Sequence, residues 1–207
     1  EYYPMIDIEL SLIEQGLVYC GIDEAGAGPL CGDVLAAAVV LHPDRPIPGL
    51  DDSKKLTEKR RQIVYEQILE SAVDYAIARA TVAEIDDINI LNARMLAMTR
   101  AVAGLSGDVE YALVDGNRLP PLDIAATAVI KGDSLVQAIA AASVLAKVTR
   151  DREMLALDKV YPGYGFAQHK GYGTKVHLQA LHTLGPCAIH RRSYAPVRAL
   201  LESDSTR

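Results

Sequence analysis

Gly21-Ile22-Asp23-Glu24-Ala25-Gly26-Ala27-Gly28-Pro29-Leu30 sets two adjacent carboxylates at the end of an apolar run, just ahead of a glycine-rich turn. The run from Leu17 to Ile22 lies between Gly16 and the Gly26/Gly28 pair, which is the outline of a buried strand. Carboxylates buried there are costly unless protonated, paired or bound to a cation. At a strand end beside a turn, both can face a solvated cleft instead. The glycines beside them allow a ligand's backbone to approach closely. Acids next to small backbone point to metal-assisted chemistry on a phosphate backbone.

Outward from this stretch, the pattern predicts strands over 17–23, 34–41, 72–81, 111–114 and 124–130. Three prolines and a glycine between His42 and Gly49 mark a loop. Thr57 caps a predicted helix over 57–71, without the Glu or Gln of a capping box. Ile85, Ile88, Leu91, Met95, Met98 and Val102 recur at three or four, giving a helix that ends near Gly104. Further helices are predicted over 134–158, which is rich in alanine, and over 174–184. Early strands followed by alternating helix and strand suit an α/β sheet with some antiparallel pairing. Residues 1–16 read as an arm or short helix, 17–198 as one domain and 199–207 as a tail.

Half of the 207 residues are hydrophobic, enough for a sizeable core, and no apolar run reaches the length of a membrane helix. No secretory signal is legible. Cys20, Cys31 and Cys187 are odd in number and lack metal-ligand spacing, so they read as free thiols in a reducing compartment, by default the cytoplasm. A net charge of −6 argues against nucleic-acid binding, but the charge is uneven. Residues 147–198 hold nine Lys/Arg against three Asp/Glu, and four of the five histidines. One basic segment on an acidic body is able to grip phosphates.

Three apolar segments end in acids beside glycine: Asp23-Glu24, Asp115-Gly116 and Gly132-Asp133. Strand ends of an α/β sheet converge on one edge, where ligands bind. Four carboxylates without a Cys/His partner describe a hard-cation site, for Mg²⁺ or Mn²⁺ rather than Zn²⁺. Two such ions can activate water and stabilise the leaving oxygen of a phosphodiester.

The chain resembles bacterial ribonuclease HII, the type 2 ribonuclease H. The resemblance runs through G-I-D-E-A-G-x-G-P-L at 21–30, D-S-K-K-L at 52–56, N-I-L at 89–91 and V-D-G-N at 114–117. It continues through K-G-D-S at 131–134, A-A-A-S-V-L-A-K-V-T-R-D at 140–151, Y-G-F-A-Q-H-K-G-Y-G-T at 164–174 and H-R-R-S-Y at 190–194. It implies a ribonuclease H-like mixed sheet flanked by helices, with a helical C-terminal extension. The implied activity is cleavage of the RNA strand of RNA–DNA hybrids, and 5′ of single ribonucleotides embedded in duplex DNA. The implied products carry 3′-hydroxyl and 5′-phosphate ends. No dimer seam is legible in the sequence, so a monomer without membrane contact is the expectation. Carried over by position, Asp23, Glu24, Asp115 and Asp133 are the catalytic acids and hold two ions, Mg²⁺ or Mn²⁺. Tyr172 matches the tyrosine that stacks on the junction sugar and senses its 2′-hydroxyl. Lys54, Ser143 and Lys147 match phosphate contacts, and Gly26, Ala27 and Gly28 form the substrate-binding loop. Asn89 and Asn117 read as loop braces, and Asp151 as a structural partner of Arg150 or Arg152. His169, His190 and Arg191 fall in matching motifs without an assigned role.

The chain departs from that pattern at Ala27, where the loop normally reads Gly-Arg-Gly, and at Asp33, where small or apolar residues are typical. Loss of a planar, five-donor guanidinium predicts weakened activity or altered selectivity, and Asp33 adds negative charge beside a phosphate-binding loop. Two other readings fit part of the pattern. A hybrid-binding protein without turnover keeps the grip, and a branched-DNA resolvase of the same fold explains the acids but not the tyrosine motif.

Overall fold

The computed structural model describes residues 5–206, except the side chains of 51 and 52. Residues 1–4 of the expected arm and residue 207 of the expected tail lie outside the described residues. The elements run α1 (Asp7–Glu14), β1 (Tyr19–Ala25), β2 (Val34–Val40), a short 3-10 turn (Leu50–Lys55), α2 (Glu58–Ser71), β3 (Asp74–Ala80) and α3 (Val82–Ala103). They continue with β4 (Tyr111–Asp115), β5 (Ala125–Val129), α4 (Gly132–Leu135), α5 (Gln137–Val160), α6 (Phe166–His169), α7 (Lys175–Leu184) and α8 (Ala195–Asp204).

The five strands form one mixed sheet in the order β3-β2-β1-β4-β5. The β1–β2 and β2–β3 pairs are antiparallel, and β1–β4 and β4–β5 are parallel. Side chains alternate across a strand, and burial follows that alternation. Cys20, Ile22, Ala36, Ala38, Ala112 and Val114 pack on one face with α3 residues such as Ala97 and Met98. Ala37 and Val39 pack on the other face against α2 and α5. Strand β2, covered on both faces, is therefore uniformly apolar and buried. Gly21 is the point where β1 meets α5, since a Cβ there would lie 2.2 Å from the Ala138 carbonyl carbon. Helix and sheet reach this contact only over glycine.

Two predicted helices are interrupted. The helix over 85–104 begins earlier, at a Thr81/Glu84 capping box, and is kinked at Asn89 (φ 69°, ψ 167°). The Asn89 carboxamide oxygen accepts from Asn92 N at 3.0 Å and so caps the second half of α3. The helix over 134–158 is split at Val136, which is extended and divides α4 from α5. The boundary drawn at residue 198 falls inside α8, whose Val197 is buried with Leu30 and Leu181. Among the described residues no helix is long and apolar enough to cross a membrane.

Candidate metal centre and cleft

The parallel register pairs Ile22 with Val114, so Asp115, the last residue of β4, lies beside Asp23, two residues before the end of β1. Asp133 joins them from α4, after Lys131 turns the chain through a left-handed conformation (φ 55°). Its backbone N–H donates to Asp115 Oδ1 at 3.2 Å. One carboxylate oxygen from each of Asp23, Asp115 and Asp133 lies within 4.8 Å of the others. Glu24 is not part of this trio. Successive strand side chains point to opposite faces, and the Glu24 carboxylate is met by Arg94 of α3 at 2.8 Å.

Burial first, then the charges of Glu24 and Asp115, push the Asp23 carboxyl well above its ordinary range. Burial also lifts Asp115. A folded-state value above the unfolded one means that the folded protein holds the extra proton. This group's contribution to stability therefore falls as pH rises above the ordinary carboxylate value, through the folded one. Asp23→Asn is expected to raise the metal-free unfolding midpoint at pH 7 by roughly 2–4 °C, the shift that about 1 kcal/mol gives a domain of this size. A lower midpoint in a thermal melt would show that the charged form is well accommodated without metal.

At the site, Glu24 Oε2 and Asp133 Oδ1 are buried and have no hydrogen-bond partner among the described residues. The opposite oxygen of each is held by a cation: Arg94 for Glu24, and Lys54 Nζ for Asp133 at 2.9 Å. Orphaned oxygens in an all-oxygen donor set fit a hard divalent cation. Lys54, expected on a phosphate, spends its ammonium on Asp133 here.

Beside the acids lies an open cleft of about 410 Å³. Glu24, the Gly26–Gly28 loop, Lys54, Ser143, Lys147 and Tyr172 line it, so the expected substrate-binding positions share one surface. Arg61, which sequence reasoning did not single out, lines it too. A larger hollow of about 630 Å³ runs along α3, but among the described residues Arg118 is the lone charged residue in its lining, whereas the smaller one is lined by Glu24, Lys54, Arg61 and Lys147. Lys147 bonds Asp151 at 3.0 Å, which corrects the expected pairing of Asp151 with Arg150 or Arg152. Asn117 is exposed, and Asn89 braces α3 itself.

The loop needs glycine at 26. Its φ is +91°, and a Cβ would lie 2.3 Å from the buried Arg150 Nε. At Ala27 the sequence offers no guanidinium, but the fold supplies one from Arg191, 164 residues away. Arg191 Nη2 donates to Gly26 O at 2.6 Å, and Nη1 donates to Ala27 O at 3.0 Å and Pro29 O at 2.7 Å. Its Nε donates to Gly32 O at 2.9 Å. The loop's carbonyls are thus braced without an arginine in the loop. Asp33 adds no free charge to it: Oδ1 accepts from Val82 N at the start of α3, and Oδ2 pairs with Arg79 at 3.1 Å.

Cys31, His177 and His190 form a second donor cluster among the described residues. Its nitrogens are already engaged. Cys187 N–H donates to His190 Nδ1 at 3.0 Å, so the His190 proton sits on Nε2 and is given to His177 Nε2 at 2.9 Å. His177 Nδ1–H in turn donates to Tyr172 O at 2.9 Å. Burial, and then His177, hold His190 down to about 4, so it stays neutral at pH 7. The cluster is a neutral brace behind the Tyr172 loop, and it gives His190 a place that its motif alone did not. The Tyr172 ring, exposed to the cleft, sits beside Gly28.

The same fold is found in solved structures. Ribonuclease H2 from Pyrococcus horikoshii OT3 superposes with a TM-score of 0.76 at 26% identity, covering 92% of this chain and 100% of that one. The ribonuclease HII of the PCNA complex from Archaeoglobus fulgidus gives 0.70 at 24% identity, covering 86% and 96%. Bst-RNase HIII in complex with Mn²⁺ gives 0.70 at 16% identity, covering 92% and 71%. The sheet is therefore of the ribonuclease H-like class that the motifs implied. The profile of the family described as Ribonuclease HII matches residues 20–197, from the strand that carries Asp23 to the helix behind Arg191. This chain belongs to the ribonuclease HII family of nucleases.

Proposed function

We propose that the chain is a divalent-metal-dependent endonuclease that cuts the RNA strand of RNA–DNA hybrids and duplex DNA 5′ of a single embedded ribonucleotide, leaving 3′-hydroxyl and 5′-phosphate ends. The observation that carries this reading is the Asp23–Asp115–Asp133 trio, set at the edge of a cleft that also holds Tyr172 and a backbone-lined glycine loop. Asp23, Asp115, Asp133 and Glu24 would hold two ions, Mg²⁺ or Mn²⁺, both of which accept oxygen ligands. Such ions, when bound, activate water and stabilise the leaving oxygen. Backbone groups of residues 26–28 reach the ribose edge of the junction, and Lys147 and Ser143 on α5 take backbone phosphates. Tyr172 offers a flat face for the sugar and a hydroxyl for its 2′-OH. The protein works as a monomer, in a reducing compartment that keeps its three thiols free.

Tyr172→Ala tests the junction-reading part. Cleavage at a single ribonucleotide is expected to fall by about ten- to a hundredfold, the worth of one lost stacking and hydrogen-bonding group. Cleavage of a long hybrid, which offers many ribose contacts, is expected to fall less in the same single-turnover assay. Equal losses on both substrates would remove Tyr172 from junction sensing. Cutting of an all-DNA branched substrate would favour the resolvase reading instead.

A further inference from the structure

Arg94 lies on the second half of α3, past the Asn89 kink, and reaches Glu24, which lines the cleft, from the sheet face opposite α5. Its Nη2 is 2.8 Å from Glu24 Oε1, with Glu24 largely and Arg94 partly shielded from water. Among the described residues its Nε is buried without a hydrogen-bond partner, and so is Glu24 Oε2. The pair therefore has one closed contact and one open oxygen, and that oxygen belongs to the carboxylate beside the Asp23–Asp115–Asp133 trio. A carboxylate with both oxygens free can grip a cation through either or both. One with an oxygen engaged by a guanidinium offers a cation its other oxygen first, since the engaged oxygen already gives a lone pair to an N–H.

We propose that Arg94 is a positioning residue that restricts Glu24 to one-oxygen metal ligation, and so trades cation affinity for the geometry that cleavage needs. The inference rests on the nuclease reading above, in which Glu24 is a metal ligand. A positive guanidinium beside that ligand also opposes an arriving cation, because like charges a few ångströms apart repel in a partly dry site. Removing it therefore strengthens metal binding and slows the chemistry. A merely structural residue, when lost, would weaken both.

The test compares wild type, Arg94→Ala and Arg94→Lys, each checked for folding by its thermal midpoint. Mn²⁺ is titrated into the metal-free proteins by calorimetry, and cleavage of a single-ribonucleotide duplex is followed at saturating Mn²⁺. Arg94→Ala is expected to bind Mn²⁺ about three- to tenfold more tightly, as loss of one screened like charge predicts. Its kcat is expected to fall by about ten- to fiftyfold with KM within about threefold, the pattern of a lost transition-state contribution. Arg94→Lys keeps the charge and one donor to Oε1, and is expected to recover most of both changes. Unchanged or weaker Mn²⁺ binding in Arg94→Ala overturns the proposal, and so does an undiminished kcat. A Lys variant no better than Ala would do the same. Wild-type protein that binds Mn²⁺ without cutting would instead strike the nuclease reading itself, and the two failures are thereby told apart.

Discussion

Asp115→Asn is expected to lower metal-dependent cleavage by about a thousandfold or more, roughly 4 kcal/mol of transition-state stabilisation, with the fold intact. Asp115 ends β4 beside Asp23 and accepts the Asp133 N–H, so it touches both other members of the trio. A carboxamide keeps the shape and one acceptor oxygen for that N–H but loses the charge that a hard cation needs. Half-buried, Asp115 carries a carboxyl that burial already pushes up, so its neutral replacement does not strain the fold. The checks are a single-turnover assay and a thermal melt of the metal-free protein. Cleavage within tenfold of wild type would remove Asp115 from the metal centre.

Arg191→Ala is expected to destabilise the protein by about 3–5 kcal/mol, the range found when one partner of a buried charged network is removed. The guanidinium is fully buried, with no acid among the described residues in its hydrogen-bond shell. Its charge is met by the carbonyls of Gly26, Ala27, Pro29 and Gly32, together with the Tyr194 hydroxyl. Truncation leaves those carbonyls facing a hole, each with an unpaid desolvation penalty of about 1–3 kcal/mol unless water enters. The loop they belong to forms one wall of the cleft, so substrate affinity is expected to fall as well. Urea unfolding measures the first effect, and duplex binding in EDTA the second. A loss below about 1 kcal/mol would show that water replaces the guanidinium, and that Ala27 does leave the loop without an essential brace.

Much of the sheet is legible because most of its strands are short apolar runs bounded by glycine, proline or acid. The ends of β1, β4 and β5 fell within two residues of their predicted places, and with them the acids that those ends deliver. The helix interruptions at Asn89 and Val136 were not legible. Apolar periodicity runs through both positions, and a single residue leaving helical geometry does not disturb a side-chain pattern. The partition of Asp23 and Glu24 between two faces follows from strand alternation, but their adjacency in sequence hides it. Arg94, and the role of Arg191, were missed for a different reason. Each acts on the β1 loop across 70 residues or more of chain, and nothing in its own neighbourhood marks a buried or paired guanidinium. The Ala27 departure looked unanswered in sequence because its answer comes from the end of the chain, through a fold that carries residues 190–194 back beneath the loop.

The most direct measurement is single-turnover cleavage of a DNA duplex containing one ribonucleotide, in Mg²⁺, Mn²⁺ or EDTA. One cut, 5′ of the ribonucleotide, is expected with either metal and none in EDTA. Binding of that duplex without cutting in either metal, or cutting that persists in EDTA, would contradict the nuclease reading.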